Sequence, residues 1–555
     1  MQHKILQLHP QDNLIAALQP LKKGETYRVG GHDVTLTADI AAKHKFAAAD
    51  LRPGDPACMY GVLVGKATQF IPAGAWIHSG NLEHAAARYE AAAGVAISAQ
   101  HVWQAPDTTR FKDRTWEGYH RADGTVGSAN YWLVVPLVFC ENRNIEVLRE
   151  AMLEPLGYAV KKDFSVDVPA LVEAWQKGAD AEALLQLNID KNNKITPDNR
   201  PFPNVDGIKF LTHTSGCGCT RQDGNALCEL LAGYITSPNV AGATVLSLGC
   251  QHSQTALLEQ AIRARDPHFD KPLFVLEQQK SSSERALIAE AVKKTFVGLT
   301  LANAARRAPA PLSKLTLGLK CGGSDGFSGL SANPALGYAS DLLVALGGKS
   351  LLPEFPELNG VEQELIDRCV SPDLGQKFAH LMKSYSDIAE AIGSGFKNNP
   401  SPGNIKDGLI TDAIKSAGAA RKGGTAPVED VLDYAEKPQK PGLALLCTPG
   451  NDVEATTALA GSGANVIVFT TGLGTPTGNP IVPVIKFSTN TELALRMGDL
   501  IDIDAGDIIT GEKTIAQKGE ELLDYVIEVA SGRAVPHAVR LGQDDFIPWK
   551  RGVSL

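Results

Sequence analysis

A chain of 555 residues is too long for a single hydrophobic core and implies about two to four domains. Its 44% apolar and 21% charged residues are those of an ordinary globular protein. A formal charge of −9 argues against nucleic acid or an acidic membrane as the main partner. Met1 to Leu14 carries no apolar export segment, and no run of about 18 apolar residues occurs, so a cytoplasmic protein without a membrane partner is expected. Nine cysteines, an odd number with no CxxC pair, exclude a disulfide framework and make a zinc ribbon a poor reading. Reduced thiols remain.

Residues 1–85 read as a small β-rich module. Thr26–Val29 and Val34–Leu36 flank Gly30-Gly31, a hairpin signal, and further short strands are expected within 41–47, 60–65 and 71–78. His44 and His78 are its notable side chains, although a lone histidine on a strand more often serves packing than ligation. Residues 86–113 read as a linker, with an alanine-rich piece at 83–93 of helical composition and a turn-rich one at 104–109.

From Trp116 the pattern becomes α/β. An apolar strand from Tyr131 to Phe139 ends at Cys140. A strand at 207–213 runs into Gly216-Cys217-Gly218-Cys219, and another at 243–248 runs into Gly249-Cys250-Gln251-His252. Residues from about 160 to 202 are polar and read as an inserted lobe, whose Asp190–Lys194 tract lacks the glycine and terminal glutamate of a calcium loop.

The most informative stretch is 315–348. A buried strand, Leu315–Leu319, gives way to Lys320-Cys321-Gly322-Gly323-Ser324-Asp325, then to a small-residue patch containing Asn333, then to a helix near Ala335. Strand, glycine-rich turn and helix is the arrangement that offers backbone N–H groups and a few side chains to a ligand at the carboxyl end of a parallel sheet. Strand-then-Gly-Cys occurs at Cys217, Cys250 and Cys321, and three such thiols converging on one place would suit a soft or borderline metal such as iron. A harder alternative set is Asp325, Glu354 and Glu357, the last two closing an expected strand that starts at Ser350. Farther on, Thr471, Gly472, Gly474 and Thr475 follow a strand and suit the cradling of a carboxylate or hydroxyls. The Walker lysine is missing, and no GxGxxG with a later acidic partner appears, which weakens the phosphate-loop and dinucleotide readings. Lys486 is expected at the end of a strand from Val482, and a closing helix is expected at about 515–531.

These segments together carry a resemblance. Lys43-His44-Lys45, Tyr60-Gly61, Glu117–Gly127, Gly216-Cys217-Gly218, Gly249-Cys250, Cys321–Asp325 through Asp341, Asn399–Asn404, Gly472–Pro476, Val482–Lys486 and Thr510-Gly511-Glu512 occur in one order. In them the chain resembles the altronate/galactarate dehydratase family over most of its length, with a SAF-type β-clip module in front. The resemblance implies an α/β multidomain fold: the β-clip at 1–85, a linker at 86–113, a second α/β (dimerisation) domain at 114–312 with the insertion, and a Rossmann-like parallel sheet at 313–555. It implies a cytoplasmic homodimer acting on a small sugar acid in hexuronate breakdown. Its cofactor would be ferrous iron, with an iron–sulfur cluster or a substituting divalent metal such as manganese as alternatives. Cys219 and His78 belong to the altronate-type pattern, so the expected reaction is D-altronate to 2-dehydro-3-deoxy-D-gluconate plus water. Galactarate, or another aldarate or aldonate, is the alternative substrate. A non-catalytic sugar-acid binding protein is the alternative of another class.

Such a dehydration removes a weakly acidic proton α to a carboxylate and expels the C3 hydroxyl. It therefore needs a base, an acid and an electrophile to hold the enediolate. The candidates for proton transfer are Lys486, His213 and His252, joined by His78 or His44 if the first domain closes over the site. Lys320, Ser324, Asp325, Asn333, Thr471, Gly472, Gly474 and Thr475 are the candidates for binding substrate.

Overall fold

The computed structural model describes residues 4–86, 103–159, 164–192 and 200–555. Most of the alanine-rich piece expected to be helical lies outside these. The amino-terminal module is built of short antiparallel strands. Thr26–Val29 pairs with His32–Thr35 across Gly30-Gly31, which take φ of 53° and 89° as a tight hairpin turn demands. One of its two apolar clusters is its own, around Ile15, Leu21 and Phe46, and the other is shared. Leu14, Met59, Val64 and Ile77 pack with Phe327, Leu330, Leu409, Ile410 and Ile414 from the far end of the chain.

The middle region carries a parallel sheet of four strands: β1 (Tyr131–Pro136), β2 (Gly207–Phe210), β3 (Val240–Ser247) and β4 (Leu273–Glu277), in the order β2-β1-β3-β4. β1 and β3 are buried along their whole length, the all-apolar reading that a parallel strand covered on both faces requires. The inserted lobe pairs Phe164–Val166 with Asp190–Asn192 and carries two short helices, Val168–Gln176 and Ala181–Leu185, each capped by an aspartate.

The last region is built on a parallel sheet of seven strands. They are β5 (Thr316–Cys321), β6 (Lys349–Leu352), β7 (Val428–Leu432), β8 (Gly442–Leu446), β9 (Val466–Thr471), β10 (Val484–Ser488) and β11 (Ile503–Asp504), in the order β7-β8-β6-β5-β9-β10-β11. From β5 the chain passes to β6 on one side, then to the edge strand β7 and back to β8 between them, before it restarts on the other side of β5 at β9. That makes β5 the topological switch point, beyond whose carboxyl end open α/β sheets bind their ligands. Two expectations shift: the strand at 349 stops at Leu352, before either glutamate, and Lys486 lies in the middle of β10. The two sheets share a core in which Leu133, Leu230 and Tyr234 meet Leu351, Leu459 and Phe469.

Candidate functional site

At the carboxyl end of β5, successive residues point to opposite faces, as strand geometry requires. Lys320 and Cys321 are both fully buried. Lys320 Nζ donates to Glu354 Oε1, to Asp452 Oδ1 at 2.8 Å and to its neighbour's carbonyl at 2.6 Å. Cys321 Sγ donates to Glu357 Oε2 at 3.2 Å and receives the Lys422 ammonium at 2.8 Å. Lys422 also bonds Glu354 Oε2 at 2.9 Å, and Lys415 bonds Glu357 Oε1 at 2.9 Å and Asn399. Glu354 follows β6 in the left-handed region, φ 73° and ψ 59°. A non-glycine residue held there costs on the order of 1–3 kcal/mol, so its surroundings must hold it. The holding contacts are Glu354 N to Thr448 Oγ1 at 2.9 Å and the two lysines on its carboxylate. Gly322 is required: a Cβ there would lie 2.3 Å from Asp452 Oδ1.

Three ammonium groups, Lys320, Lys415 and Lys422, thus face three carboxylates, Glu354, Glu357 and Asp452, around one thiol. Burial would raise the Glu357 pKa, but Lys415, Lys422 and Lys320 hold it at about 2. Burial pushes the Cys321 thiol up to about 12, with Glu357 adding to the shift and Lys422 opposing it. Burial works against the charge of Lys320, Lys415 and Lys422, yet the anions around them raise all three. Lys486 is the contrast. Its amine lies 3.9 Å from the centre of the Phe469 ring, donates to Thr477 O, and is pulled by burial down to about 7. Asp452 and Lys320 are among the charges that act on it.

The glycine-rich segments form the walls. Asp325 is buried and accepts bonds from Phe327 N at 3.1 Å, Ser328 Oγ at 3.1 Å and Thr489 Oγ1 at 3.0 Å, with Lys43 Nζ of the first domain 3.0 Å away. Gly472 sits against that carboxylate, where a Cβ would be 2.2 Å from Asp325 Cγ. Asp325 is therefore an anchor between domains. The Ser324 carbonyl accepts from Asn404, and Asn333 bonds Thr470 Oγ1 at 2.6 Å and Gly418 O at 3.0 Å. Thr471 Oγ1 accepts from Gly474 N at 2.9 Å and Thr475 N at 3.2 Å, closing the turn after β9 on itself. From the first domain, His44 Nε2 meets Lys406 O at 3.0 Å while its Nδ1 accepts from Trp76. His78 caps a local turn at Gly80 N.

His213, Cys217, Cys250 and His252 lie elsewhere, at the end of the four-stranded sheet. His213 spends both ring nitrogens on backbone, Pro136 O at 2.8 Å and Ser215 N at 3.1 Å, and burial lowers its pKa to about 4. His252 Nδ1 stands 4.0 Å from Cys219 Sγ. The structure brings Cys321 together with Glu354 and Glu357 and not with Cys217 and Cys250. Among the described residues, Cys321, Glu354 and Glu357 are the one set of three or more His, Cys, Asp or Glu whose ligand atoms lie within 4.8 Å of one another.

Comparison with known proteins finds matches along most of the chain. Residues 3–85 match the altronate/galactarate dehydratase SAF domain, residues 118–303 the D-galactarate dehydratase/altronate hydrolase second domain, and residues 312–554 the D-galactarate/altronate dehydratase C-terminal domain. The chain is 33% identical to the altronate dehydratase of Escherichia coli, over 95% of each chain. It is 32% identical to that of Bacillus subtilis over 99% of each, and 30% identical to the galactarate dehydratase (L-threo-forming) of Escherichia coli over 95% of this chain and 93% of that one. The chain belongs to the altronate/galactarate dehydratase family. It is a hydro-lyase, a dehydratase of sugar acids.

In this dehydratase the set of one thiol and two carboxylates is a mixed soft and hard donor set of the kind iron, manganese or zinc accepts. Lys422 stands between Sγ and Glu354, so an ion bound there displaces its ammonium from them. Sequence reasoning missed Lys415, Lys422 and Asp452. Lys415 is on a helix, Asp412–Ala420, and Lys422 follows Arg421, settings in which a lysine reads as solvated. Only the fold sets them against Glu354 and Glu357.

Proposed function

We propose that the protein dehydrates D-altronate to 2-dehydro-3-deoxy-D-gluconate, with a divalent metal, iron by preference, held by Cys321, Glu354 and Glu357. The observation that carries the reading is this donor set at the switch point of the large sheet, in a chain similar along almost its whole length to two altronate dehydratases. When bound, the metal supplies Lewis-acid stabilisation of the enediolate. The Lys486 amine, with a pKa near 7, is the base that takes the C2 proton. Lys320, Lys415 and Lys422 remain ammonium ions at neutral pH, orient the substrate carboxylate, and furnish the proton with which the C3 hydroxyl leaves as water. The resulting enol tautomerises to the 2-keto acid. The β-clip module, held against the glycine-rich loop through Lys43 and Asp325, closes the site from above.

The same reading divides the chain at 1–85, 114–312 and 313–555, joined by 86–113, and makes it a cytoplasmic homodimer. Among the described residues no helix is long and apolar enough to cross a membrane. The deciding experiment is an anaerobic assay of D-altronate and galactarate, before and after chelation and with ferrous iron restored. Turnover of galactarate equal to or better than that of altronate defeats the substrate assignment. Turnover that survives chelation defeats the metal.

A further inference from the structure

A second thiol cluster lies away from this site. The segments that leave β1, β2 and β3 at their carboxyl ends carry Cys140, Cys217 and Cys250, and backbone bonds sew the three segments together. Phe139 N donates to Ser215 O at 3.0 Å, and Gly216 O accepts from His252 N at 2.8 Å and Ser253 N at 3.2 Å. Ser253 Oγ bonds both Leu137 O and Gly216 O, tying all three. The packing is so close that a Cβ at Gly216 would lie 2.2 Å from Leu137 O. Gly216 and Gly249 take φ of 102° and 122°, which an L side chain avoids, and each turns the chain immediately before a cysteine.

The exposure of these thiols sets them apart. Cys140 and Cys250 are exposed and Cys217 half-buried, whereas Cys219, Cys228, Cys321, Cys369 and Cys447 are buried as small hydrophobes usually are. They are also near one another. The Cys140 pKa is raised first by burial and then by Cys217 and Cys250. Yet the three sulfurs do not all lie within 4.8 Å of one another. Sulfurs bound to one ion by bonds of about 2.3 Å can be no more than about 4.6 Å apart, so a single zinc-like ion does not span this set. A body several atoms wide takes sulfurs farther apart than that.

We propose that Cys140, Cys217 and Cys250 ligate an iron–sulfur cluster of the [4Fe–4S] class, each giving up its thiol proton to bind one iron and leaving the fourth iron without a cysteine. The site is on the four-stranded sheet and shares no residue with the Cys321 set.

The test is iron and acid-labile sulfide content, with the visible absorption of the chain, after anaerobic purification and after reconstitution with ferric iron, sulfide and a thiol reductant. Wild type, Cys140→Ser, Cys217→Ser, Cys250→Ser and Cys321→Ser are compared, with circular dichroism to confirm folding. The expected result is about four sulfides per chain in wild type and in Cys321→Ser, falling at least several-fold in each of the other three. As a second readout, alkylation by iodoacetamide of the wild-type protein should reach Cys140 and Cys250 only after the cluster is stripped. No sulfide under either condition overturns the proposal. So does sulfide that survives all three substitutions, or a native disulfide between any two of these cysteines. Failure of altronate turnover leaves these readouts untouched, so the two readings stand or fall separately.

Discussion

Two places in this protein share one local design, a parallel strand running into glycine and cysteine, and they differ in nearly everything else. At the end of β5 the thiol is sealed, flanked by two glutamates and an ammonium, with its proton held firmly up to about pH 12. At the ends of β1, β2 and β3 the thiols of Cys140 and Cys250 are exposed and that of Cys217 half-buried, and Cys217 and Cys250 add to the burial that raises the Cys140 pKa. The cysteine does not decide which chemistry results. The charge supplied by distant parts of the chain does. At Cys321 that charge comes from its neighbour Lys320 and from residues between 354 and 452, far from it in sequence.

The largest effect should come from removing the centre of the charged site. Glu354→Gln leaves Lys320 and Lys422 without their shared carboxylate, and breaking a buried pair in this way costs about 3–5 kcal/mol. Thermal unfolding should register that loss, and kcat/KM for altronate should fall by more than about 100-fold, beyond what loss of an outer partner of a metal ligand costs. A Glu354→Gln protein with wild-type melting and turnover would mean that the network is decoration. Cys321→Ser should come next. It is nearly isosteric and should fold, but activity, and affinity for ferrous iron beyond that held with sulfide, should both fall by about 100-fold or more. Sulfide content should not change, which is the outcome that keeps the two thiol regions distinct.

Much of the fold was legible in the sequence because parallel strands buried on both faces are continuous apolar runs. Those ending near Phe210, Ser247, Cys321 and Thr471 were readable to within a few residues. Glu354 and Glu357 were legible as a pair of carboxylates, and Cys321 as a thiol at a glycine turn. Their joining was not, since sequence carries no signal for which strand ends meet. The grouping of Cys321 with Cys217 and Cys250 was natural on motif alone, but the chain puts them on different sheets. The histidines misled for another reason. A ring that satisfies two backbone groups, as His213 does, looks in sequence like one that is free to move a proton.

Lys486 allows the comparison between buried lysines to be sharpened by pH. Lys320 and Lys422 are held charged by carboxylates, whereas burial brings Lys486 to about 7. If it is the base, kcat/KM rises tenfold per unit below about pH 7 and levels off above it. Stability moves with the same group. An unfolded lysine stays protonated to about pH 10.4, so between about 7 and that value the unfolded chain binds more protons and stability increases with pH. Lys486→Met should abolish that slope and most of the turnover while melting no lower at pH 7. Retention of the rate limb in this variant would assign the base elsewhere.

The smallest effect concerns how the first domain is held to the site. Lys43 sits in the left-handed region at φ 75°, its carbonyl pressed so near Gly326 and Gly408 that a Cβ at either would come within 2.4 Å of it. Its ammonium meets Asp325, whose carboxylate keeps four other partners, Phe327 N, Ser328, Thr489 and Asn490. Lys43→Met keeps the stem and the backbone and removes only the charge. A hydrogen bond to a charged group is worth about 1.5–3 kcal/mol, and the remaining partners of Asp325 should hold the loss to the lower end of that range. The kinetic reading is the informative one. A module that closes the site should show a KM for altronate raised several-fold with kcat little changed, because the glycine-rich wall loses its outer brace before any reacting group is touched. A module that serves stability alone would lower the melting temperature and leave KM where it was.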